Sequence, residues 1–310
     1  MTIDELNEAI TDGEIDEVIR VSEARQCKAL GRIADDVVQR GGVKIVLLAG
    51  GSSAGKTTTA MRLCTQLRVN GLKAMHLSTD DYFVGDARNP RDENGEFDYE
   101  CIGCVDRERL ATDLNALRSG EKVHLRKFDF VRHDGFDDAR ETRLASDGVI
   151  VLEGIHALNP LLTEGVDEGC KYRLFIEPKT QPEVFATTRL SSRDARLLRR
   201  MVRDNCFRKI SPLETFKMWN KVIAGEDKWI NPFRPLADAE FDSSLEYELA
   251  VLKPYAAGLL ARYRKELGDY PKAHLLEEIL LMVEATDSTK VPGDSILRET
   301  IGGSLLDYGE

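Results

Sequence analysis

Apolar positions along this chain follow two different periods. Ile15, Val18, Ile19, Leu30, Ile33, Val37 and Val38 lie at helical spacing among charged residues, and Arg40-Gly41-Gly42 ends the run. This predicts a leading helix over about Ile15 to Gln39. Val43-Lys44-Ile45-Val46-Leu47-Leu48-Ala49 is instead a short, nearly unbroken apolar run, the mark of a buried strand. A glycine-rich turn follows, then a helix to about Val69 stopped by Gly71, and a strand over Lys73–Leu77 ending in Ser78-Thr79-Asp80-Asp81. Leu110, Leu114 and Leu117 stripe another helix, which Gly120 breaks, and Val149–Leu152 and Tyr172–Ile176 read as further buried strands. Strand and helix in alternation predict an α/β fold, a doubly wound parallel sheet with helices on both faces.

Between these elements, Val123 to Thr142 is polar, carries aromatics and contains Asp134-Gly135, so it predicts a hairpin outside the main sheet. A long helical stretch is predicted from about Gln181 to Ala224, interrupted near Ile210-Ser211-Pro212. Phe241 marks a short strand, and Tyr270–Thr286 an amphipathic helix. Leu249–Leu267 reads as a helix in which Pro254 must occupy the first turn or cause a kink. The organisation expected is a helical extension over residues 1–42, a nucleotide-binding domain over 43–260 and a C-terminal helical extension over 261–310. Within the domain the hairpin spans about 121–145 and an arginine-bearing lid about 190–230.

Composition narrows the class. Of 310 residues, 42% are hydrophobic and 31% charged, which suits a soluble protein with long charged helices, and no apolar run approaches membrane-spanning length. The acidic amino terminus lacks a signal-peptide pattern, so a cytoplasmic location is expected. A net charge of −11 argues against a nucleic-acid polymer as partner, because counterion displacement needs a continuous basic face. Of six cysteines only Cys101 and Cys104 form a C-x-x-C pair. They read as reduced thiols, with a metal or redox role as the alternative, since no second ligand pair accompanies them.

The chemistry centres on Gly50-Gly51-Ser52-Ser53-Ala54-Gly55-Lys56-Thr57, followed by Thr58. Its glycines let successive backbone N–H groups turn toward phosphate oxygens, Lys56 supplies a point charge and Thr57 offers a hydroxyl to Mg²⁺. Asp80, just past the second strand at the same sheet edge, can accept a hydroxyl proton or bind the metal. Glu153, ending a buried strand, is the candidate acid for the metal's water shell. Arg196, Arg199, Arg200 and Arg203 fall on one helical face with Arg208 beyond, and like charges so placed call for an anion. A lid closing arginines over a triphosphate is the reading preferred over a solvated basic face.

With these residues assembled, the chain resembles the uridine kinase and phosphoribulokinase family of phosphate-loop kinases, most closely its uridine kinase branch, from about Val43 to Tyr255. The motifs that carry the resemblance are the phosphate loop, Ser78-Thr79-Asp80-Asp81-Tyr82-Phe83, Glu96-Phe97-Asp98, Phe128-Asp129-Phe130-Val131-Arg132-His133, Leu152-Glu153-Gly154-Ile155 and Asp194-x-Arg196-Leu197-x-Arg199-Arg200-x-x-Arg203-Asp204. The resemblance implies an ATP- and Mg²⁺-dependent kinase acting on the 5′-hydroxyl of a nucleoside, uridine or cytidine. By the same resemblance Asp80 is the base, Asp98 and Arg200 hold ribose hydroxyls, Arg203 and Arg208 contact ATP phosphates, and Phe128, Phe130 and His133 form the base pocket. Phe83, Phe128 and Asp134-Gly135 stand where the family carries polar or basic groups, so looser base discrimination is expected. The open alternatives are a kinase of the same fold acting on a sugar phosphate or a pantothenate-like alcohol, and a nucleotide-binding regulator without transfer activity. The partners expected are the nucleoside and ATP, without a membrane, and a homo-oligomer stays open.

Overall fold

The computed structural model describes residues 1–129, 132–180, 183–185 and 188–308. Helices α1 (Ile3–Thr11) and α2 (Ile15–Arg40) precede strand β1 (Ile45–Ala49), which leads through the phosphate loop into α3 (Lys56–Val69) and then β2 (Lys73–Ser78). Helix α4 (Arg107–Ser119), hairpin strands β3 (Lys122–Asp129) and β4 (Asp134–Arg143), and the buried strands β5 (Gly148–Glu153) and β6 (Lys171–Glu177) follow. A short strand pair, β7 (Glu183–Phe185) and β8 (Thr188–Arg189), leads to α5 (Ser192–Phe207) and α6 (Pro212–Trp229). The chain ends with β9 (Ala239–Asp242), α7 (Glu248–Arg262), α8 (Pro271–Met282) and the short α9 (Arg298–Ile301).

Five parallel strands form the main sheet in the order β2-β5-β1-β6-β9. The chain leaves β1 for the far strand β2 and later returns to both sides of β1, so the carboxyl end of β1 is a topological switch point where such sheets bind ligands. Alternate residues of β1 serve opposite faces, as strand pleating requires. Val46 and Leu48 pack with Leu30, Ile33 and Val37 of α2 and Leu63 and Leu67 of α3. Ile45 and Leu47 pack with Leu110, Leu114 and Leu117 of α4. The leading helix is thus a layer against the sheet, while Ile3, Leu6, Ile15 and Ile19 join a third cluster with α5, α6, α7 and α8. Hairpin β3–β4 forms its own antiparallel pair, as the sequence predicts.

The sequence-based expectation of helix from about Gln181 is corrected: β7 and β8 pair antiparallel before α5 begins. Val184, Phe185 and Thr188 are residue types that favour strands. Helix α5 starts where Ser191 and Asp194 form a capping box, and α6 where Ser211 and Glu214 do the same with Pro212 in the first turn. Pro254 lies inside α7, beyond its first turn. A proline there leaves the carbonyl four residues earlier without its helical donor. That carbonyl, Ala250 O, accepts instead from Thr286 N–H at 3.1 Å, which ties the segment after α8 to α7.

Two arginines of α5 are structural. Arg199, 1% exposed, donates from Nε and Nη2 to the Glu248 carboxylate at 2.5 and 2.6 Å and from Nη2 to Ser243 O at 2.9 Å. Arg196, also buried, donates to both oxygens of Glu226 at 3.0 and 2.7 Å. Removing one partner from such a buried pair leaves an uncompensated charge in the interior. Glu248→Ala is therefore expected to cost about 3–5 kcal/mol of unfolding free energy. Urea denaturation checks this, and an unchanged midpoint would show that the pair carries no structural weight.

Candidate active site

The phosphate loop turns at the carboxyl end of β1 because of two left-handed residues, Ser53 at φ 58° and Gly55 at φ 88°. Glycine takes such a conformation without steric cost, and the turn leaves backbone N–H groups facing inward at the start of α3. Gly50, Gly51, Ser52, Ser53, Ala54, Gly55, Lys56, Thr57 and Thr58 run through this turn into α3, with Ala54 N–H closing it on Gly51 O at 3.2 Å. Among the described residues the buried Ser53 hydroxyl finds no hydrogen-bond partner, a polar group a bound ligand can satisfy. Lys56 Nζ donates across the loop to Gly51 O at 3.2 Å, and Thr57 Oγ1 donates to Glu153 Oε1 at 3.3 Å.

Sheet register delivers the acids. Leu48 of β1 and Ser78 of β2 both pair with Glu153 of β5, so the end of β5 stands level with the loop on one side and with Ser78 on the other. Gly154 makes the approach of β2 possible, because a Cβ there would collide with Thr79. Asp80 sits on the single 3-10 turn Thr79–Tyr82 that follows. Its outer edge is open to the cleft, yet the protein packed about it and the Glu153 charge push its carboxyl up to about 6, against Lys56 and Arg208. Burial also opposes the charge on Glu153, but the His76 ring 3.9 Å away and Lys56 outweigh it and hold that carboxyl below the usual range. The pair is thereby split into a charged acid and a more basic one, the arrangement that separates metal binding from proton transfer. The adjacent Asp81 turns elsewhere, accepting from Lys127 Nζ of β3 at 2.8 Å.

Helix α5 brings a second set of charges. Arg196 Nη1 donates to Ser52 O at 3.2 Å, and Arg200 Nη1 to Ser52 Oγ at 2.9 Å. Arg203 donates to Asp204 Oδ1 at 2.8 Å, Arg200 Nε lies 3.2 Å from Asp204 Oδ2, and Arg208 Nη1 lies 3.8 Å from Asp204 Oδ1. The arginine row predicted from sequence therefore divides. Arg196 and Arg199 are neutralised by Glu226 and Glu248, while Arg200, Arg203 and Arg208 surround Asp204 beside the loop.

On the acceptor side, Asp98 Oδ1 accepts from Glu100 N–H at 3.1 Å, and the Phe83 and Phe128 rings meet edge to face at 5.6 Å. His133, at φ 54° in the hairpin turn, is half-exposed with Nδ1 3.5 Å from Asp86 Oδ1, and Tyr99 OH donates to that same oxygen at 3.1 Å. Phe130, the other aromatic expected in the base pocket, lies outside the described residues. Cys104 donates to Tyr99 O at 3.3 Å and Cys101 accepts from Gly103 N–H at 3.4 Å, so both act as free thiols in a turn. Among the described residues no group of three His, Cys, Asp or Glu is placed to hold a metal.

Sequence reasoning missed Glu100, which lies against Gly225 of α6 between the charges of Arg200 and Lys56, its carboxyl pushed up to about 7 by burial. It also missed Glu226 and Glu248, whose pairing with arginines thirty and forty-nine positions earlier leaves no local signal. Glu299 and Tyr308, which reach Thr58 from the carboxyl-terminal segment, were missed for the same reason.

Comparison with known proteins identifies the family. The sequence profile described as the Phosphoribulokinase / Uridine kinase family matches residues 45–249. A uridine kinase of Halobacterium salinarum is 30% identical over 157 residues, which are 51% of this chain and 60% of that protein. A uridine kinase of Deinococcus deserti is 28% identical over 179 residues, covering 58% of this chain and 77% of its own length. Among solved structures, one described as a possible uridine kinase from Bacillus stearothermophilus aligns with a TM-score of 0.48 at 18% identity, over 71% of this chain and 100% of that one. A putative fructose transport system kinase from Silicibacter aligns with a TM-score of 0.45 at 19% identity, over 68% of this chain and 98% of that one. With the profile spanning the sheet, the loop and the arginine helix, the chain belongs to the phosphoribulokinase and uridine kinase family of kinases.

Proposed function

We propose that this chain transfers the γ-phosphoryl group of ATP to the 5′-hydroxyl of a nucleoside, with uridine and cytidine as acceptors, and serves nucleoside salvage in the cytoplasm. The observation that carries the reading is the convergence of Asp80, Glu153 and Lys56 at the mouth of the phosphate loop. The relatives named uridine kinase support the acceptor class. So does the hairpin, whose cations Arg126 and Lys127 are engaged by Asp137 at 3.8 Å and Asp81 at 2.8 Å, where a sugar-phosphate acceptor would need them. Among the described residues no helix is long and apolar enough to cross a membrane.

Each residue's role follows from its chemistry. Lys56, now resting on Gly51 O, exchanges that carbonyl for phosphate oxygens. Asp80, the more basic acid, takes the proton of the acceptor hydroxyl as the bond to phosphorus forms. Arg203 and Arg208 oppose charge on the group in transit, and Asp98 and Arg200 hold ribose hydroxyls. Phe128, packed on Phe83, offers an apolar wall to a flat base, and His133 a polar edge. Thr57 and Glu153, oxygen donors 3.3 Å apart beside Asp80, suit Mg²⁺, a hard cation that keeps several waters. When bound, Mg²⁺ supplies neutralisation of the phosphate charge.

Four outcomes are expected. Asp80→Asn should retain nucleoside binding while kcat falls about 10²-fold or more, whereas Asp81→Asn, which loses only the tie to Lys127, should fall far less. Because Asp80 must be ionised to act, kcat/KM should decline as pH drops through about 6, and a profile flat to pH 5 would exclude it as the base. Arg203→Ala should lower kcat about 10²-fold, on the order of 3 kcal/mol of barrier, with acceptor KM little changed and the urea midpoint close to wild type. His133→Ala should raise KM for pyrimidine nucleosides while calorimetric ATP affinity holds. Weakened ATP binding in that variant would place His133 on the donor side.

A further inference from the structure

The carboxyl-terminal segment lies beyond the family match, yet it returns to the phosphate loop. Ile296, 2% exposed, sits where a Cβ on Gly55 would meet its Cγ2 at 2.5 Å, and it shares an apolar cluster with Ala54. Helix α9 then carries Glu299 to the first turn of α3. There Thr58 Oγ1 lies 3.4 Å from Glu299 Oε2, and Arg203 Nη1 lies 4.0 Å from Glu299 Oε1. Tyr308 OH stands 3.0 Å from the same Thr58 hydroxyl and accepts from Ser304 Oγ at 3.1 Å. The protons can run in one direction, from Ser304 to Tyr308 to Thr58, ending on the Glu299 carboxylate. Val291, Ser295, Leu297 and Thr300 are buried around it, so Glu299 projects from a packed wall and not from a loose strap.

Consecutive residues of α3 thus look in different directions. Thr57 turns to Glu153, at the transfer end of the loop, and Thr58 to Glu299. A triphosphate whose γ-group meets Lys56 and Asp80 has its α-phosphate at the first turn of the helix, so its sugar leaves on the side of Thr58. A carboxylate there repels phosphate but accepts readily from sugar hydroxyls. We propose that Glu299, oriented by the Ser304–Tyr308–Thr58 chain, is a specificity-determining residue for the donor, accepting hydrogen bonds from the ribose hydroxyls of the nucleoside triphosphate. The inference rests on the kinase reading above and extends it to a segment outside the family match.

Calorimetry of the full chain with the Mg²⁺ complexes of ATP, 2′-deoxy-ATP and 3′-deoxy-ATP tests it without requiring turnover. Wild type should bind ATP at least about 10-fold more tightly than one of the deoxy analogues, the range of a hydrogen bond to a charged group. Glu299→Ala, and the near-isosteric Glu299→Gln to a smaller degree, should lose that discrimination by weakening ATP alone. Tyr308→Phe should lie between them. Equal wild-type affinity for all three nucleotides would overturn the proposal and leave the kinase reading intact. So would tighter binding of all three by Glu299→Ala, which would make the carboxylate a barrier to nucleotide. A wild-type chain that binds none of the three would overturn both.

Discussion

The phosphate loop is pressed from three sides at points where a side chain does not fit. A Cβ on Gly50 would meet Ile176 at the end of β6, one on Gly51 would meet the Arg196 guanidinium, and one on Gly55 would meet Ile296. Sheet, arginine helix and carboxyl-terminal segment therefore all rest directly on the backbone proposed to hold the phosphates. An anion cradle made of backbone N–H groups keeps its shape only if something outside it fixes the curvature, since its own contacts to the anion come late. The buried Arg196–Glu226 pair serves this end, because the arginine also donates to Ser52 O from beneath the loop.

The electrostatics follow from that clamp. Placing Arg196 and Arg199 in the interior demands Glu226 and Glu248, which the helical cluster supplies, so neither guanidinium is available to a ligand. What remains beside the loop is Arg200, Arg203 and Arg208 around Asp204, with Lys56 across the cleft. Facing them, Asp80 and Glu153 occupy one sheet edge with opposite shifts, so neighbouring carboxylates are fitted for different tasks.

Much of this was legible in the sequence where the signal is local. An apolar run, glycines at fixed offsets and a lysine-threonine pair announce a strand, a loop and a helix because those residues act on their immediate neighbours. Asp80 and Glu153 were found because one stands just past a strand and the other ends one, and strand ends in a parallel sheet share an edge. The partners of the arginines were hidden, since nothing in the sequence near Arg199 points to Glu248. The strand pair β7–β8 was misread as helix where neither period is sustained, and the partner that Ala250 O finds opposite Pro254, Thr286 N–H, lies too far along the chain to leave a local signal. The carboxyl-terminal segment carried no motif at all; only the fold reveals that Glu299 and Tyr308 meet Thr58.

The central claim is that this site moves a phosphoryl group onto a nucleoside hydroxyl. The most direct measurement is identification of the products formed from Mg²⁺-ATP and a panel of nucleosides, sugar phosphates and pantothenate, by mass and by phosphorus–proton coupling in NMR. The account predicts ADP together with uridine or cytidine 5′-monophosphate, and inert sugar phosphates. Phosphorylation of a sugar phosphate or pantothenate with every nucleoside untouched would contradict the acceptor, and no ADP with any acceptor would contradict the claim of transfer itself.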